Sequence, residues 1–349
     1  LREIRLALAG VGNCASSLIQ GLEYYKDNGG EVGLLHPEVG GYRVGDIKVV
    51  AAFDIDTRKV GLDLSEAVFA EPNKAPRMAD LGEAGVVVEM GPILDSPSPD
   101  SMSLIKPANL PSVDVAGRLR ESRADVFLNL VSGGAVNASD FYAHAALETG
   151  CGFINATPNN ILGKPELVSR FSQAGVPLAG DDLMSQIGAT ALHIGILEFL
   201  VSRGVKVSES YQLDVGGGSE SIDTLERTRN LKREIKTQAV KSHVPYDFSL
   251  VSGSSDFVDF LVDGRDSFLY LKGRYFGGAE FSLDLKLGTQ DSPNAGGILV
   301  DVIRGLKVAK DRGLGGPINE VCSYGFKRPP IHLSLGEALR GFRGFTGCT

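Results

Sequence analysis

LALAGVGNCASS, residues 6–17, divides into three parts. Leu6, Ala7, Leu8 and Ala9 form a short apolar run of the kind a buried parallel strand requires. Gly10 and Gly12 permit a tight turn with close backbone approach, and Asn13-Cys14-Ala15-Ser16-Ser17 opens a helical pattern. Strand, glycine turn and helix N-terminus in that order make the first turn of a dinucleotide-binding βαβ unit. The free N–H groups and partial positive charge of such a helix end suit a pyrophosphate. Ala15 stands where the third glycine usually does, and a plain strand–helix turn carries much of the same pattern. The neighbouring segments must decide between them.

Downstream of the turn, Leu18, Ile19, Leu22 and Tyr25 recur at helical spacing. Asp27 to Asp46, rich in glycine and charge, is predicted to be an excursion on the surface. IKVVAAF (47–53) is the second strand, ending at Asp54. An acid at that point is the usual partner of an adenosine ribose, and the excursion explains its longer distance from the glycine turn. A helix cap or turn aspartate is the other reading of Asp54. Val60 to Ala67 starts a helix, and Pro92 to Pro111, with five prolines, is predicted to be a loop. Val113–Arg120, Asp140–Thr149 and Pro165–Ala174 are helical in pattern, whereas Ala124–Val131, Cys151–Ala156 and Val176–Ala179 are strands. Their exits carry Ser132-Gly133-Gly134-Ala135, Ala156-Thr157-Pro158-Asn159 and Gly180-Asp181-Asp182. This alternation predicts a doubly wound sheet with ligands at the strand ends.

After residue 185 the pattern changes. Ala189 to Val201 is a long apolar helix, and Ser210 to Val215 is a strand ending in Gly216-Gly217-Gly218. Phe257–Val262, Ser267–Lys272 and Ala279–Leu287 alternate apolar with polar, as antiparallel strands of a half-exposed sheet do. Ile298 to Arg312 returns to a helix that can pack back on the first unit. The expected organisation is 1–188 plus 295–349 as one domain, with 189–294 inserted.

The 349 residues suffice for a sizeable core, and a net charge of -8 argues against nucleic acid or an acidic membrane as main partner. Cys14, Cys151, Cys322 and Cys348 show no CxxC or CxxH pairing, which speaks against a disulfide framework or a cysteine zinc site. No run of eighteen apolar residues occurs and the chain opens on a strand, so a soluble, cytoplasmic protein is expected. No histidine pairs with Cys or Asp at ligand or triad spacing, which leaves a serine hydrolase unsupported. Lys232, Arg233, Lys236 and Lys241 form a basic cluster. It is either a solvated helix face or a site that grips a phosphate and stabilises an enolate. In Gln290-Asp291-Ser292-Pro293-Asn294, Asp291 or Ser292 is expected to cap the following helix, with free N–H groups available to a ligand.

Taken together, GVGNCASSLIQGLEYY (10–25), VVAAFDID (49–56), VGLDLSEAVFA (60–70), GDDLMSQIGAT (180–190), LDVGGG (213–218), KTQAV (236–240), DSPNAGGILVDVIRGLKVAKDRGLGGP (291–317) and Phe326-Lys327-Arg328-Pro329-Pro330 resemble the inositol-1-phosphate (inositol-3-phosphate) synthase family. The similarity runs from about residue 4 to 330 in the family's order. It implies a Rossmann-type doubly wound parallel sheet with an inserted α+β catalytic and oligomerisation domain. It also implies a homotetramer built on the inserted domain's sheets. The implied reaction is redox-neutral: a tightly bound, recycled NAD takes hydride from C5 of glucose 6-phosphate, C6 loses a proton, the enolate attacks C1, and the hydride returns.

By the same resemblance, Gly10, Gly12, Asn13, Cys14, Ala15 and Ser16 wrap the pyrophosphate, and Asp54 and Asp63 face the adenosine end. Ser132, Tyr142, Thr157 and Ser185 lie near the cofactor, and Asp291, Ser292 and Asn294 border the nicotinamide. Lys236 and Lys327 are matched to substrate phosphate and carbonyl oxygens, with Lys232, Arg233, Arg265 and Asp182 as further catalytic candidates. Whether a metal or monovalent cation assists is left undetermined.

Several positions depart from the family pattern. The usual GGNxD is Gly216-Gly217-Gly218-Ser219-Glu220, and one residue is missing before Lys236, so Arg233 stands at a lysine position unless Lys232 replaces it. Arg265 lies where another catalytic lysine is common, and Met184 replaces a lysine of bacterial relatives. Arginine keeps the charge but cannot give up its proton near neutral pH. The departures gather on the substrate side and leave two chemistries open: the ordinary synthase, or a paralogue closing fructose 6-phosphate to a five-membered ring. An NAD-binding sensor without catalysis and a simple dehydrogenase are further alternatives.

Overall fold

The computed structural model describes residues 2–27, 32–95 and 105–348. Six strands, β1 (Ile4–Ala9), β2 (Ile47–Asp54), β3 (Val88–Met90), β4 (Val126–Asn129), β5 (Gly152–Asn155) and β6 (Pro177–Ala179), lie in the order β3-β2-β1-β4-β5-β6. Gly316–Pro317 adds a seventh strand beside β6, and every pairing is parallel. That is the doubly wound dinucleotide-binding order, with its reversal between β1 and β4. Helices α1 (Asn13–Asp27), α2 (Val115–Glu121), α3 (Val136–Thr149) and α4 (Pro165–Gln173) follow the strands. The strands are apolar on both faces because two cores enclose them: Leu6 and Leu8 belong to one, Ala7, Ala9 and Phe127 to the other.

The chain then passes through α5 (Ala189–Ser202) into a second, four-stranded sheet. Its strands are β7 (Lys206–Gly216), β8 (Ser249–Phe257), β9 (Gly264–Arg274) and β10 (Glu280–Gln290), in the order β8-β7-β9-β10. Helix α6 (Arg229–Lys241) connects β7 to β8, and α5 and α6 pack on one face of the sheet. Helix α7 (Asp291–Asp311) leaves β10 directly and packs against β4, β5 and β6, with α8 (Asn319–Gly325) and α9 (Leu335–Thr346) closing that side. Among the described residues no helix is long and apolar enough to cross a membrane.

Four local expectations need correction. The strand expected at 257–262 lies at 249–257, and a short helical turn occupies Asp259–Leu261. It pairs with β7 in parallel, because α6 carries the chain back to the end where β7 began. The 27–46 excursion, of which 28–31 lie outside the described residues, is not confined to the surface: His36, Val39, Tyr42 and Val44 are buried. Arg304 of α7 draws it in, donating to the backbone oxygens of His36, Pro37 and Tyr42. The helix expected from Val60 is only the turn Leu64–Ala67, and α7 begins at Asp291 with Gln290 as its N-cap, so neither Asp291 nor Ser292 caps it. The loop expected at 92–111 falls partly outside the described residues, at 96–104.

Candidate active site

At the reversal between β1 and β4 a cavity of about 380 Å³ opens, walled by the ends of the parallel sheet and by the second sheet with α6. On the parallel-sheet side Gly10 adopts φ 89°, and a Cβ there would stand 2.7 Å from the Leu130 carbonyl oxygen. At Gly12 a Cβ would meet nothing within 4 Å, leaving room above the α1 N-terminus. Asn13, Cys14 and Ala15 line this room. Asp54 fastens the turn: Val11 N–H donates to its Oδ2 at 2.7 Å, while the N–H groups of Ile55 and Asp56 donate to Oδ1 at 2.7 and 2.9 Å. Ser132, Tyr142, Thr157, Ser185 and Asn294 complete the wall. Ser132 Oγ and Asn294 Nδ2 are buried without a hydrogen-bond partner among the described residues. The open cradle at Gly12 and these two polar atoms fit a dinucleotide laid across the turn.

The opposite wall is ionic. Lys232 and Lys236 sit one turn apart on α6, drawn inward because Ile235, Ala239 and Val240 bury that face. Lys236 Nζ donates to Asp214 Oδ2 at 2.6 Å, and Gln212 Nε2 donates to the same oxygen at 3.0 Å. Lys232 Nζ and Lys327 Nζ donate to Asp182 Oδ1 at 2.9 and 3.2 Å, and Lys327 also donates to the Leu183 carbonyl at 2.8 Å. Arg265, on β9, donates to Asp291 and lies 3.6 Å from Glu220. Burial alone would raise the two aspartates. Lys232 and Lys327 outweigh it at Asp182, as Lys236 and Arg265 do at Asp214, and both carboxyls are held down at about 2. Burial, helped by the nearby ammonium groups of Lys232 and Lys236, brings Lys327 down to about 8 against the pull of Asp182. The arrangement therefore offers fixed positive charge together with one amine able to exchange a proton near neutral pH.

Of the candidate residues, Gly10, Gly12, Asn13, Cys14, Ala15, Asp54, Ser132, Tyr142, Thr157, Asp182, Ser185, Lys232, Lys236, Arg265, Asp291, Asn294 and Lys327 meet in this cavity. Ser16, Asp63, Ser292 and Arg233 are not in its lining. Ser16 is buried and accepts from Gln20. Asp63 caps the turn 64–67 and accepts from the backbone at Ala84 and Val86. Ser292 donates to Asp263, and Arg233 is exposed. Met184 is not in the lining either; it belongs to the buried cluster of Ile194, Leu197 and Val240. Asp214, Gln212 and Lys59 were not foreseen. A polar residue at every second position of β7 (Ser210, Gln212, Asp214) was the available signal for the first two. Among the described residues no group of three or more His, Cys, Asp or Glu is placed to hold a metal ion.

Comparison with known proteins bears on the same residues. The family model for myo-inositol-1-phosphate synthase matches residues 188–292, which hold β7, α6 and β9. A protein named inositol-3-phosphate synthase from Corynebacterium glutamicum is 43% identical over 354 residues, covering 98% of this chain and 98% of its own. The chain belongs to the inositol-3-phosphate synthase family. Another member so named, from Mycobacterium tuberculosis, is 41% identical over 338 residues, covering 95% of this chain and 92% of its own. The crystal structure of Ari2 superposes with a TM-score of 0.80 at 34% identity, covering 99% of this chain and 98% of that one. As a member of the family the protein is an enzyme of the isomerase, or intramolecular lyase, type.

Proposed function

We propose that the protein is an NAD-dependent, redox-neutral cyclase that converts glucose 6-phosphate to inositol 1-phosphate in the cytoplasm. The observation that carries this reading is the meeting of the Gly10–Ala15 turn with the Lys–Asp pairs of α6, β7 and the 182 loop in one cavity. The relatives are named inositol-3-phosphate synthase and the matching family model myo-inositol-1-phosphate synthase, and both names support an inositol phosphate as product. NAD, when bound, supplies a reversible hydride acceptor for the sugar's C5 and is left unchanged by the cycle.

The glycine turn and the N-terminus of α1 would hold the pyrophosphate, with Asp54 toward the adenosine ribose. Ser132, Tyr142, Thr157 and Ser185 would lie near the cofactor, and Asp291 and Asn294 would border the nicotinamide. Lys327, with its lowered pKa, is the residue we assign to removing the C6 proton. Its neutral fraction rises as pH passes about 8. Lys236 and Lys232, each held by a carboxylate, would face the oxyanions that develop during enolisation and ring closure. Arg265 stays charged throughout and serves as a fixed anchor for a phosphate or oxyanion.

A second reading draws on Arg265. The resemblance leads one to expect a proton-exchanging lysine there, and the arginine lines the cavity beside Asp291. That change suits a different accepting carbonyl, such as the ketone of fructose 6-phosphate closing to a five-membered ring. Incubating the purified protein with NAD and either sugar phosphate, then identifying the cyclitol phosphate by NMR, separates the readings. Inositol phosphate without net NADH is expected. A five-membered cyclitol would favour the second reading. NADH rising with product would mean a dehydrogenase, and bound cofactor without product would mean a sensor.

We also assign a homotetramer, with the open face of the second sheet as contact surface. Tyr211, Leu213, Val251, Phe268 and Tyr270 alternate outward there, on the side opposite α5 and α6. Light scattering of the purified chain checks the state, and Phe268→Asp should dissociate it.

A further inference from the structure

The two buried carboxylates of the ionic wall are each used by half. Asp182 engages lysines through Oδ1, and Asp214 engages Lys236 and Gln212 through Oδ2. Asp182 Oδ2 and Asp214 Oδ1 are buried with no hydrogen-bond partner among the described residues. Asp182 is already among the catalytic candidates; Asp214 has no assigned role. It is 2% exposed, yet its residue lines the cavity with Lys236. Balancing the charge of Lys236 needs only one carboxylate oxygen. The second makes no well-formed hydrogen bond; the Ser267 hydroxyl, at the paired position of β9, helps hold the carboxyl down without completing one, so Oδ1 stays a desolvated acceptor until a better-placed donor arrives.

The chemistry of that donor is narrow. A phosphate oxygen carries no proton and would be repelled. Of the cavity's cations, Lys232, Lys236 and Lys327 are turned to Asp182 or Asp214, Lys59 to the Val11 carbonyl and Asn73, and Arg265 to Asp291 and Glu220, with only its Nε left without a partner among the described residues. A sugar hydroxyl is the donor that the proposed substrate presents in quantity. The carboxylate is also braced from behind. Gln212 is within 3.5 Å of Thr190 Oγ1 and 3.4 Å of His193 Nδ1, and His193 is within 2.8 Å of Ser210 Oγ. A fixed acceptor of this kind discriminates between sugars, because a substrate lacking the matching hydroxyl leaves a buried charge unpaired.

We propose that Asp214 is a specificity-determining residue, its Oδ1 accepting a hydrogen bond from one hydroxyl of the sugar phosphate while Oδ2 holds Lys236. The inference rests on the reading of the cavity as a sugar-phosphate site. The test is a hydroxyl scan on NAD-loaded protein. Glucose 6-phosphate and its 2-, 3- and 4-deoxy derivatives are titrated calorimetrically into wild type, Asp214→Ala and Asp214→Asn. In wild type one deoxy sugar should bind roughly 10- to 100-fold more weakly than the parent. In both variants that penalty should fall to about 3-fold or less, while the penalties at the other positions stay as in wild type. The asparagine keeps the volume and an acceptor for Lys236, so it reports even where the alanine unfolds. Unchanged penalties at every position in a folded variant, with wild type binding and cyclising the parent, would overturn the role of Asp214 alone. A wild type that binds none of these sugars would overturn the reading of the cavity and this inference with it.

Discussion

Along the ends of β1, β2 and β4 the cavity is lined mainly by glycines and neutral side chains, and the charged Asp54, Asp56 and Lys59 there bond to backbone groups close by. Along β7, α6 and the 182 loop it is lined by buried ion pairs. The first wall is set by shape: Gly10 tolerates no side chain, and Asp54 spends its oxygens on backbone N–H groups. The second is set by charge: each lysine is placed by a carboxylate, and Asp214 in turn by Gln212. The departures that bear on chemistry, Arg265 and Glu220, both line the cavity on the charged side. Such a division lets the reacting groups change while the cofactor's seat stays as it is.

If the walls are separable, substitutions in one should leave the function of the other intact. Lys236→Ala should lower turnover by roughly 10²–10³-fold while NAD remains bound, read from product formation and cofactor retention after gel filtration. Loss of NAD from that variant would break the separation. Asp182→Asn strips the charge partner from two buried lysines and should cost about 3 kcal/mol in chemical denaturation. Its effect depends on pH. The folded carboxyls of Asp182 and Asp214 sit near 2, below the unfolded value of about 3.9, so their stabilisation is complete above pH 4 and is lost as pH falls toward 2. The gap between wild type and the variant should therefore close over that interval.

Gly10→Ala tests the other wall. Its Cβ would press on Leu130 with φ positive, so roughly 1–3 kcal/mol of stability should go. NAD should dissociate from it more readily, whereas Lys236 and Lys327 keep their partners. Arg233→Ala, on the exposed side of α6, should stay within about 0.5 kcal/mol of wild type and near full turnover. A large loss there would extend the charged wall to the outer face of the helix.

What could be foreseen from the sequence follows the range of the interaction. The β1–α1 turn was legible because its cause is local: an apolar run, two glycines and a helix start within twelve residues. The alternation of strands and helices gave the parallel sheet in the same way. The strand at 249–257 was misplaced because SLVSGSSDF is dominated by serine and glycine, which carry weak strand preference. The burial of His36 and Tyr42 within 32–46 depends on Arg304, more than 250 residues away in sequence, which no local pattern reveals. The basic cluster divides as neither reading of it had foreseen: Lys232 and Lys236 face inward, while Arg233 is exposed and Lys241 lies 3.6 Å from Asp247. Asp214 escaped notice because an acid inside a strand shows its purpose only once Lys236 is brought beside it.

Helix α7 gives the molecule a stiff rod with one tip beside Arg265 and its shank pinned by Arg304, Asp301, His36 and Tyr324. Thirteen residues of helix set that anchorage about 20 Å from the tip. Loosening the pin would let the tip wander, and the enzyme would falter through damage inflicted far from any atom that meets the sugar.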